Sequence, residues 1–140
     1  MKNLIIALMA FVSLTETCLS QDKIPTSVMS AFNSKFPNAI NVKWDKENEH
    51  EYEASFEWES KKLSANYSDT GEWLETESTI LFSQLPLKVQ TAFNRAHNGV
   101  NVKAVAIIET FKGQTKFEIE FRKGAKMVEL FYLADGTETR

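Results

Sequence analysis

The chain has 140 residues, of which 43% are hydrophobic and 25% charged, as in an ordinary globular protein of one domain or two small ones. Its net charge of −3 argues against nucleic acid or an anionic membrane as a partner, since both attract strongly basic surfaces. The charge is uneven, because residues 22–79 hold twelve acidic and six basic side chains and residues 80–140 hold six acidic and nine basic ones. Docking of one half on the other, or on a second copy as a homodimer, fits this asymmetry, and so does simple divergence of the halves.

Residues 1–20 predict a secretory signal peptide. Lys2 precedes an apolar run from Leu4 to Leu14, and a basic start followed by roughly 7–15 apolar residues is typical of export signals. The run is shorter than the roughly 20 apolar residues that a membrane-spanning helix needs. The tripeptide Cys18-Leu19-Ser20 predicts cleavage after Ser20, which makes the mature protein periplasmic or secreted.

A lipoprotein acylated at Cys18 is the alternative to that cleavage. It is less favoured, because Glu16 and Thr17 stand where a lipobox has small, uncharged residues. Cys18 is the only cysteine, so cleavage after Ser20 predicts a mature chain with no thiol, disulfide or sulfur-ligated metal. A chain of about 120 residues is long enough to bury a core without such cross-links.

A motif that occurs twice predicts a tandem repeat. Ile24-Pro25-x-x-Val28-x-x-Ala31-Phe32-Asn33 returns as Leu85-Pro86-x-x-Val89-x-x-Ala92-Phe93-Asn94. Such self-similarity marks a structural unit that is written more than once. We therefore divide the mature chain into a first repeat, 21–79, and a second repeat, 80–140, within one structural domain.

Each repeat is predicted to begin with a helix, because its proline suits a first helical turn. The apolar side chains that follow share one helical face and are predicted to pack in the core: Ile24, Val28, Ala31, Phe32 and Phe36 in one repeat, and Leu85, Val89, Ala92, Phe93 and Ala96 in the other. Pro37 ends the first helix, and Asn98-Gly99 ends the second.

Four antiparallel strands are predicted after each helix, from the alternation of apolar and polar side chains. Two-residue hairpin loops at Glu59-Ser60 and Gly124-Ala125 place each apolar residue opposite another. The predicted pairs are Phe56–Leu63, Ala54–Ala65 and Tyr52–Tyr67, and then Phe121–Val128, Ile119–Leu130 and Phe117–Tyr132. Gly124 suits a type II′ turn, whereas Glu59-Ser60 is poorer turn chemistry and admits a longer loop. The fold class is therefore α+β, with one helix over each four-stranded meander.

Asp69-Thr70-Gly71 and Ala134-Asp135-Gly136 lie at matched positions and predict the turns before the fourth strands. The first tripeptide also occurs in aspartic proteases, whose chemistry needs two carboxylates that share a proton. The second tripeptide lacks the Thr or Ser of that pattern, so a turn is the prediction.

The open face, meaning the sheet face opposite the helices, is the predicted binding surface. Cross-strand ion pairs Glu57–Lys62 and Arg122–Glu129 are expected there. Met127, Phe131 and Leu133 add apolar surface, which indicates either an interface or packing against the other repeat. The candidate partner-binding residues are Glu53, Glu57, Lys62, Arg122, Met127, Phe131 and Leu133.

No metal or catalytic site is predicted. His50 and His97 are the only histidines and stand at unmatched positions, whereas zinc takes three or four clustered ligands. An acidic strand face can attract calcium, which prefers oxygen ligands, but carboxylates spaced by two along one strand do not converge. A solvated face is predicted for Glu47, Glu49, Glu51, Glu53, Glu57 and Glu59. Hydrolase, phosphate-loop and dinucleotide motifs are absent, so neither an enzyme nor a cofactor is predicted.

The order of the motifs resembles one known family, the PepSY-like, beta-lactamase-inhibitor-protein-like family of exported bacterial proteins. The resemblance rests on Pro-x-x-Val-x-x-Ala-Phe, Phe36-Pro37, Asn41-Val42-Lys43-Trp44, Asp69-x-Gly71-x-Trp73-Leu74-x-Thr76-Glu77 and Leu85-Pro86. It implies tandem helix-plus-four-strand units joined into one broad antiparallel sheet with the helices on one face. In the namesake inhibitor such a sheet is concave and grips an enzyme.

Two departures limit what the resemblance implies: the namesake has disulfides, and its contacts are aromatic-rich where this open face is rich in Glu. Lactamase inhibition is therefore not carried over. The sequence predicts an exported, non-catalytic binding module, such as an inhibitor or accessory protein of an extracytoplasmic enzyme or receptor. The alternative is a small-ligand or calcium sensor that uses the acidic strand face.

Overall fold

The computed structural model describes residues 23–139, so the expected signal peptide and its cleavage site lie outside the described part of the chain. The elements, in chain order, are α1 (Thr26–Lys35), β1 (Ile40–Asn48), β2 (Glu51–Trp58), β3 (Lys61–Ser68), β4 (Trp73–Thr79), α2 (Leu87–Ala96), β5 (Asn101–Thr110), β6 (Thr115–Lys123), β7 (Lys126–Tyr132) and β8 (Glu138–Thr139). A short 3-10 helix, Phe82–Gln84, precedes α2. Within residues 23–139, no helix is both long and apolar enough to cross a membrane.

The strands form one open, antiparallel, eight-stranded sheet, and their order in space is their order in the chain. Strands β4 and β5 join the two halves, with Glu77 opposite Ile108. Strands β4 and β5 are neighbours in the sheet, although α2 lies between them in the chain. The predicted α+β class and the single broad sheet are therefore present.

Both helices lie on the same face of this sheet. Residues paired across antiparallel strands point to one side, and Ala65 pairs with Thr76, which pairs in turn with Glu109. Alternation then puts Ile107 on that side as well. Ala65 packs beneath α1 and Ile107 beneath α2, so one face carries both cores.

The helices begin as the sequence predicts, directly after Pro25 and Pro86, whose φ angles are −55° and −53°. Each buries a valine and a phenylalanine against the sheet: Val28 and Phe32 from α1, and Val89 and Phe93 from α2. The rings of Phe32 and Trp44 meet edge to face at 5.2 Å, and burial of such rings contributes much of the core's stability.

The predicted helical stripe is wrong at the last position of the second helix. Ala96 is exposed, and His97 occupies the inner position instead, with its ring 5.2 Å from Phe93 and 5.0 Å from Phe121. The ring at the end of the first helix is Phe36, which is buried. An aromatic ring at the helix end is therefore the shared feature, and alanine is too short to supply it.

Both hairpins have the predicted register. Phe56 pairs with Leu63, and Phe121 pairs with Val128. The loop at Glu59-Ser60 has two residues, so the longer loop is not formed. Both residues adopt positive φ, 48° and 63°, as a type I′ turn requires. Gly124 has φ 63° while Ala125 has a negative φ, which is the φ pattern of type II′.

Two glycines fix the turns against the helices. Gly71 has φ +92°, and a Cβ there would lie 2.7 Å from the carbonyl oxygen of Ser27 in α1. Gly136 has φ +87°, and its Cβ would lie 2.7 Å from the carbonyl oxygen of Lys88 in α2. Only glycine fits both the backbone angle and the close approach. The two turns thus hold each helix at the same end of its meander.

Candidate functional site

The register of the strands defines the open face. Glu53 pairs with Asn66 and Glu57 with Lys62, while Glu118 pairs with Phe131. These side chains point away from the residues that pack beneath the helices, because successive side chains on a strand alternate between faces. The predicted binding residues on the paired strands therefore do share one face of the sheet.

Strand β4 adds two carboxylates that the sequence interpretation left out. Glu75 pairs with Asn66 and Glu77 with Ser64 on β3, which places both on the open face. Glu75 and Glu77 alternate with Thr76, which indicates that both lie on the same face of β4. Which face of the sheet this is follows only from the pairing of β4 with a neighbouring strand. Glu77 lies opposite Ile108, so it stands at the junction between the two halves.

The centre of the open face, at β5 and β6, is not a wet surface. Glu118 is 0% exposed and Glu120 is 1% exposed. Ala106, which pairs with Glu118, and Ile108, which pairs with Glu77, are each 1% exposed. The alternation of apolar and polar residues predicts which side chains lie on the open face, but it does not predict how deeply they are buried.

The buried carboxylate of Glu118 lacks partners. Both of its oxygens, Oε1 and Oε2, are buried without a hydrogen bond, as is Oε2 of Glu120. Buried polar atoms are almost always hydrogen-bonded, and an unpaired buried charge costs far more than a neutral group. We call Glu77, Glu118, Glu120 and Glu129 the central carboxylates.

Burial and mutual repulsion keep protons on these groups. Burial, and then the charges of Glu118 and other carboxylates, raise the pKa of Glu77 to about 9. Burial, followed by the charges of Glu129 and Glu120, raises the pKa of Glu118 to about 8. Both causes disfavour the ionised form, so these carboxyls are largely protonated near neutral pH.

The expected ion pairs are wrong. Glu57 and Lys62 face each other in register, but Glu57 Oε1 accepts a hydrogen bond from Asn41 Nδ2 at 3.2 Å. Among residues 23–139, neither Glu57–Lys62 nor Arg122–Glu129 forms an ion pair, whereas His50 and Asp69 lie within ion-pair distance. An exposed pair gains only about 0–1 kcal/mol, which is easily offset by the entropy lost in fixing two long side chains.

The apolar residues predicted for the open face lie around its second half. Met127 pairs with Arg122 and is 40% exposed. Phe131 pairs with both Glu118 and Thr139 and is half-buried. Leu133 follows β7 and is half-buried, and its N–H donates to the carbonyl of Thr137. Apolar surface therefore borders the central carboxylates directly, through Phe131.

The acidic face proposed for calcium is only partly formed. Glu49 lies in the turn between β1 and β2, and Glu59 lies in the next hairpin turn with φ 48°, so neither shares a strand face with Glu53. Within residues 23–139, no group of three or more His, Cys, Asp or Glu side chains could hold a metal ion. The arrangement thus gives calcium no set of converging ligands.

His50 and Asp69 meet at one end of the sheet. Nδ1 of His50 lies 2.9 Å from Oδ2 of Asp69, and the two side chains are 77% and 42% exposed. The backbone N–H of Asp69 also donates to the carbonyl of His50 at 2.8 Å. Asp69-Thr70-Gly71 is a turn, as predicted, and its contacts link it to the neighbouring hairpin.

Two overlapping ranges of the chain, residues 12–63 and 50–137, match the protein family described as "Putative beta-lactamase-inhibitor-like, PepSY-like". Together they include both helices and all of the strands as far as the turn after β7. No functionally curated protein matches the chain.

Solved structures share the fold. A BLIP-like protein from Bacteroides fragilis is 26% identical, with 83% of this chain and 84% of that chain covered and a TM-score of 0.69. A DUF2874 family protein from Bacteroides ovatus is 23% identical, with coverage of 83% and 84% and a TM-score of 0.72. A protein described as putative periplasmic, from Bacteroides eggerthii, is 19% identical, with coverage of 83% and 86% and a TM-score of 0.74.

Proposed function

The chain belongs to the family described as putative beta-lactamase-inhibitor-like and PepSY-like, and on that premise we propose that it is an exported, non-catalytic module that binds a partner protein through its open face. The observation that carries this proposal is the position of the helices. Both cover one face of the sheet, so the other face is the broad surface left for a partner. The BLIP-like name of the Bacteroides fragilis protein supports a protein as that partner.

The proposed contact surface combines charge with apolar area. Met127 and Phe131 supply the apolar part, and interfaces are enriched in such side chains. The carboxylates of β2 and β4 supply the acidic part. The proposed contact residues are Glu53, Glu57, Lys62, Arg122, Met127, Phe131 and Leu133, together with Glu75 and Glu77.

The test is capture of periplasmic proteins by matched variants of the immobilised mature chain. Phe131→Glu and Met127→Glu alter the open face, whereas Leu87→Glu alters α2 on the opposite face at a residue that is 76% exposed. A protein that the unsubstituted chain and Leu87→Glu both retain, and that either open-face variant loses, is the expected result. Equal capture by all variants, or no specific capture, contradicts the proposal.

We also propose that the halves are copies of one unit and that the chain is exported by cleavage after Ser20. The matched glycine contacts of Gly71 and Gly136 with the helices support the duplication. Intact-mass analysis of the mature protein tests the cleavage. A mature chain that begins at Gln21 is expected, and a diacylated chain that begins at Cys18 contradicts it.

A further inference from the structure

The unpartnered carboxylate of Glu118 points to the chemistry of the partner. Its side chain is 0% exposed, and neither oxygen has a hydrogen bond. Burial raises the pKa of Glu118, and repulsion from Glu129, Glu120 and Glu75 raises it further. The charge of Glu118 in turn raises the pKa of Glu77 on β4. A positively charged hydrogen-bond donor could take the place of the protons that these carboxyls otherwise hold near neutral pH.

Among residues 23–139, the cations on the open face near Glu118 do not fill this role. Lys116 shares the open face, opposite Ile108, and its charge acts on Glu75, whose pKa it lowers against the raising effect of burial. Arg122 pairs with Met127 and is exposed at the far end of β6. Neither cation donates a hydrogen bond to either oxygen of Glu118.

Strand β5 shapes the space between the carboxylates. It runs between β4 and β6 and presents the small residues Ala104 and Ala106 on the open face, opposite Glu120 and Glu118. On β4, Glu77 lies opposite Ile108 and therefore diagonally across β5 from Glu118. The two carboxyl groups are near enough for the charge of Glu118 to raise the pKa of Glu77. The ring of Phe131 stands on the other side of Glu118.

We propose that the partner protein inserts an arginine side chain over β5, where its guanidinium donates to Glu118 and Glu77 beside the ring of Phe131. This inference rests on the proposed function, since it assigns the chemistry of the same surface. Guanidinium is planar, binds carboxylates in pairs of hydrogen bonds, stacks on aromatic rings and loses hydration more readily than ammonium. Phe131 and Glu129, which are half-buried, turn aside as the side chain enters.

The test is an NMR titration of the mature chain with acetyl-Gly-Arg-Gly-amide, and in parallel with the same peptide in which neutral citrulline replaces arginine. The arginine peptide is expected to shift saturably the signals of β4, β5 and β6. Citrulline has nearly the same shape without the charge, so it is expected to bind about tenfold more weakly or worse. The carboxyl carbon of Glu118 is expected to titrate at lower pH when the arginine peptide is bound.

Glu118→Gln is expected to weaken the arginine peptide about tenfold or more, and Glu77→Gln is a second variant of the same kind. The matched control is Glu109→Gln, an exposed carboxylate on the helix side of β5, which should leave binding unchanged. Equal binding of the two peptides, or indifference to both Gln variants, overturns the proposal. The proposal is also overturned if the signals of β4, β5 and β6 respond to calcium chloride but not to the arginine peptide.

The two proposals fail in different ways. Partner capture that is lost with Phe131→Glu but unchanged with Glu118→Gln and Glu77→Gln overturns the arginine site and leaves the binding function standing. Capture that no open-face variant affects overturns the binding function itself.

Discussion

The two faces of the sheet both exclude water at their centres, yet they do so with different chemistry. Beneath the helices, Phe32 and Phe93 are 2% and 1% exposed within aromatic clusters. On the open face, Glu118 and Glu120 are as deeply buried. One strand, β6, contributes to both sides, since Ile119 faces the helices between the two glutamates.

Unpartnered polar atoms occur on both faces, and their nature differs. On the helix side they are Nε1 of Trp44 and the hydroxyl of Tyr67, neutral groups at the tips of large rings. On the open face they are carboxylate oxygens. A neutral buried group without a partner costs about 1–3 kcal/mol, and an ionised one costs more. Burial on the helix side therefore favours folding. On the open face, a buried carboxylate that is ionised costs free energy until a bound cation or a proton neutralises it.

The largest expected effect tests the helix side. Phe32→Ala and Phe93→Ala each remove a buried ring and should lower the free energy of unfolding by about 3–5 kcal/mol. Urea denaturation measures it, with Leu87→Ala as a control on the exposed side of α2, where about 0.5 kcal/mol or less is expected. A small loss at either phenylalanine would show that its core is not formed as described.

The next effect tests the open face through pH. Burial raises the pKa of Glu118 from 4.5 in the unfolded chain to about 8, so the folded state binds this proton more tightly. The associated stability is complete below pH 4.5 and is lost as the pH rises through about 8. Glu118→Gln should therefore raise the free energy of unfolding at pH 9 by a few kcal/mol, at about 1.4 kcal/mol per pKa unit, and change it little at pH 4.

Chemical denaturation across this pH range measures that difference, and Glu109→Gln is the control. Glu77 should leave part of the pH dependence in the single variant, because burial raises its pKa as well. Glu75, Glu120, Glu129 and Lys116 face the same region and contribute to what remains. Identical pH profiles for Glu118→Gln and the unsubstituted chain would refute the burial of an unpaired carboxylate.

A smaller effect tests the turns that hold the helices. Gly71→Ala and Gly136→Ala force a Cβ against a backbone oxygen at 2.7 Å with positive φ, and each should cost about 2–4 kcal/mol at most. Gly113→Ala is the matched control, because its φ is +71° but nothing lies within 4 Å of the added atom. It should cost about 1–2 kcal/mol from the backbone angle alone. Thermal unfolding that ranks Gly113→Ala as the most damaging would contradict the close contacts.

The smallest effect tests the rim of the open face. A double-mutant cycle between Asn41 and Glu57 should give a coupling of about 0.5 kcal/mol, from their hydrogen bond. The cycle between Glu57 and Lys62 should give a coupling near zero, because no ion pair forms. The reverse ranking, measured by denaturation at low salt, would favour the ion pair instead.

Local features of the sequence were enough to predict most of the fold. The alternation of Tyr52, Ala54 and Phe56 sets the register of the first hairpin, because a slip by one residue would bury charges. The prolines and the helical stripe located α1 and α2 in the same way. Ala96 was misplaced because helical periodicity does not distinguish a small side chain from one that reaches the core.

The centre of the candidate site could not be predicted from such local signals. The position of Glu77 at the junction of the two halves depends on the pairing of β4 with β5, which joins residues far apart in the chain. Glu118 is buried by side chains from several strands together. Alternation along one strand predicts only the sheet face on which a side chain lies, not how deeply it is buried. The exposed ion pairs were over-predicted because register brings charges near each other without making the contact favourable.

The outer edges of the sheet bear on how separate copies of the chain behave in a crowded compartment. Strand β1 departs from regular pairing at two places, between Ile40 and Lys43 and between Lys46 and Asn48, and such bulges spoil a flat template for intermolecular strand addition. Ile40 at the start of β1 is exposed, and Asn41 beside it has a positive φ of 56°. Newly folded copies thus meet an irregular border along β1, which disfavours fibril-like self-association through that strand.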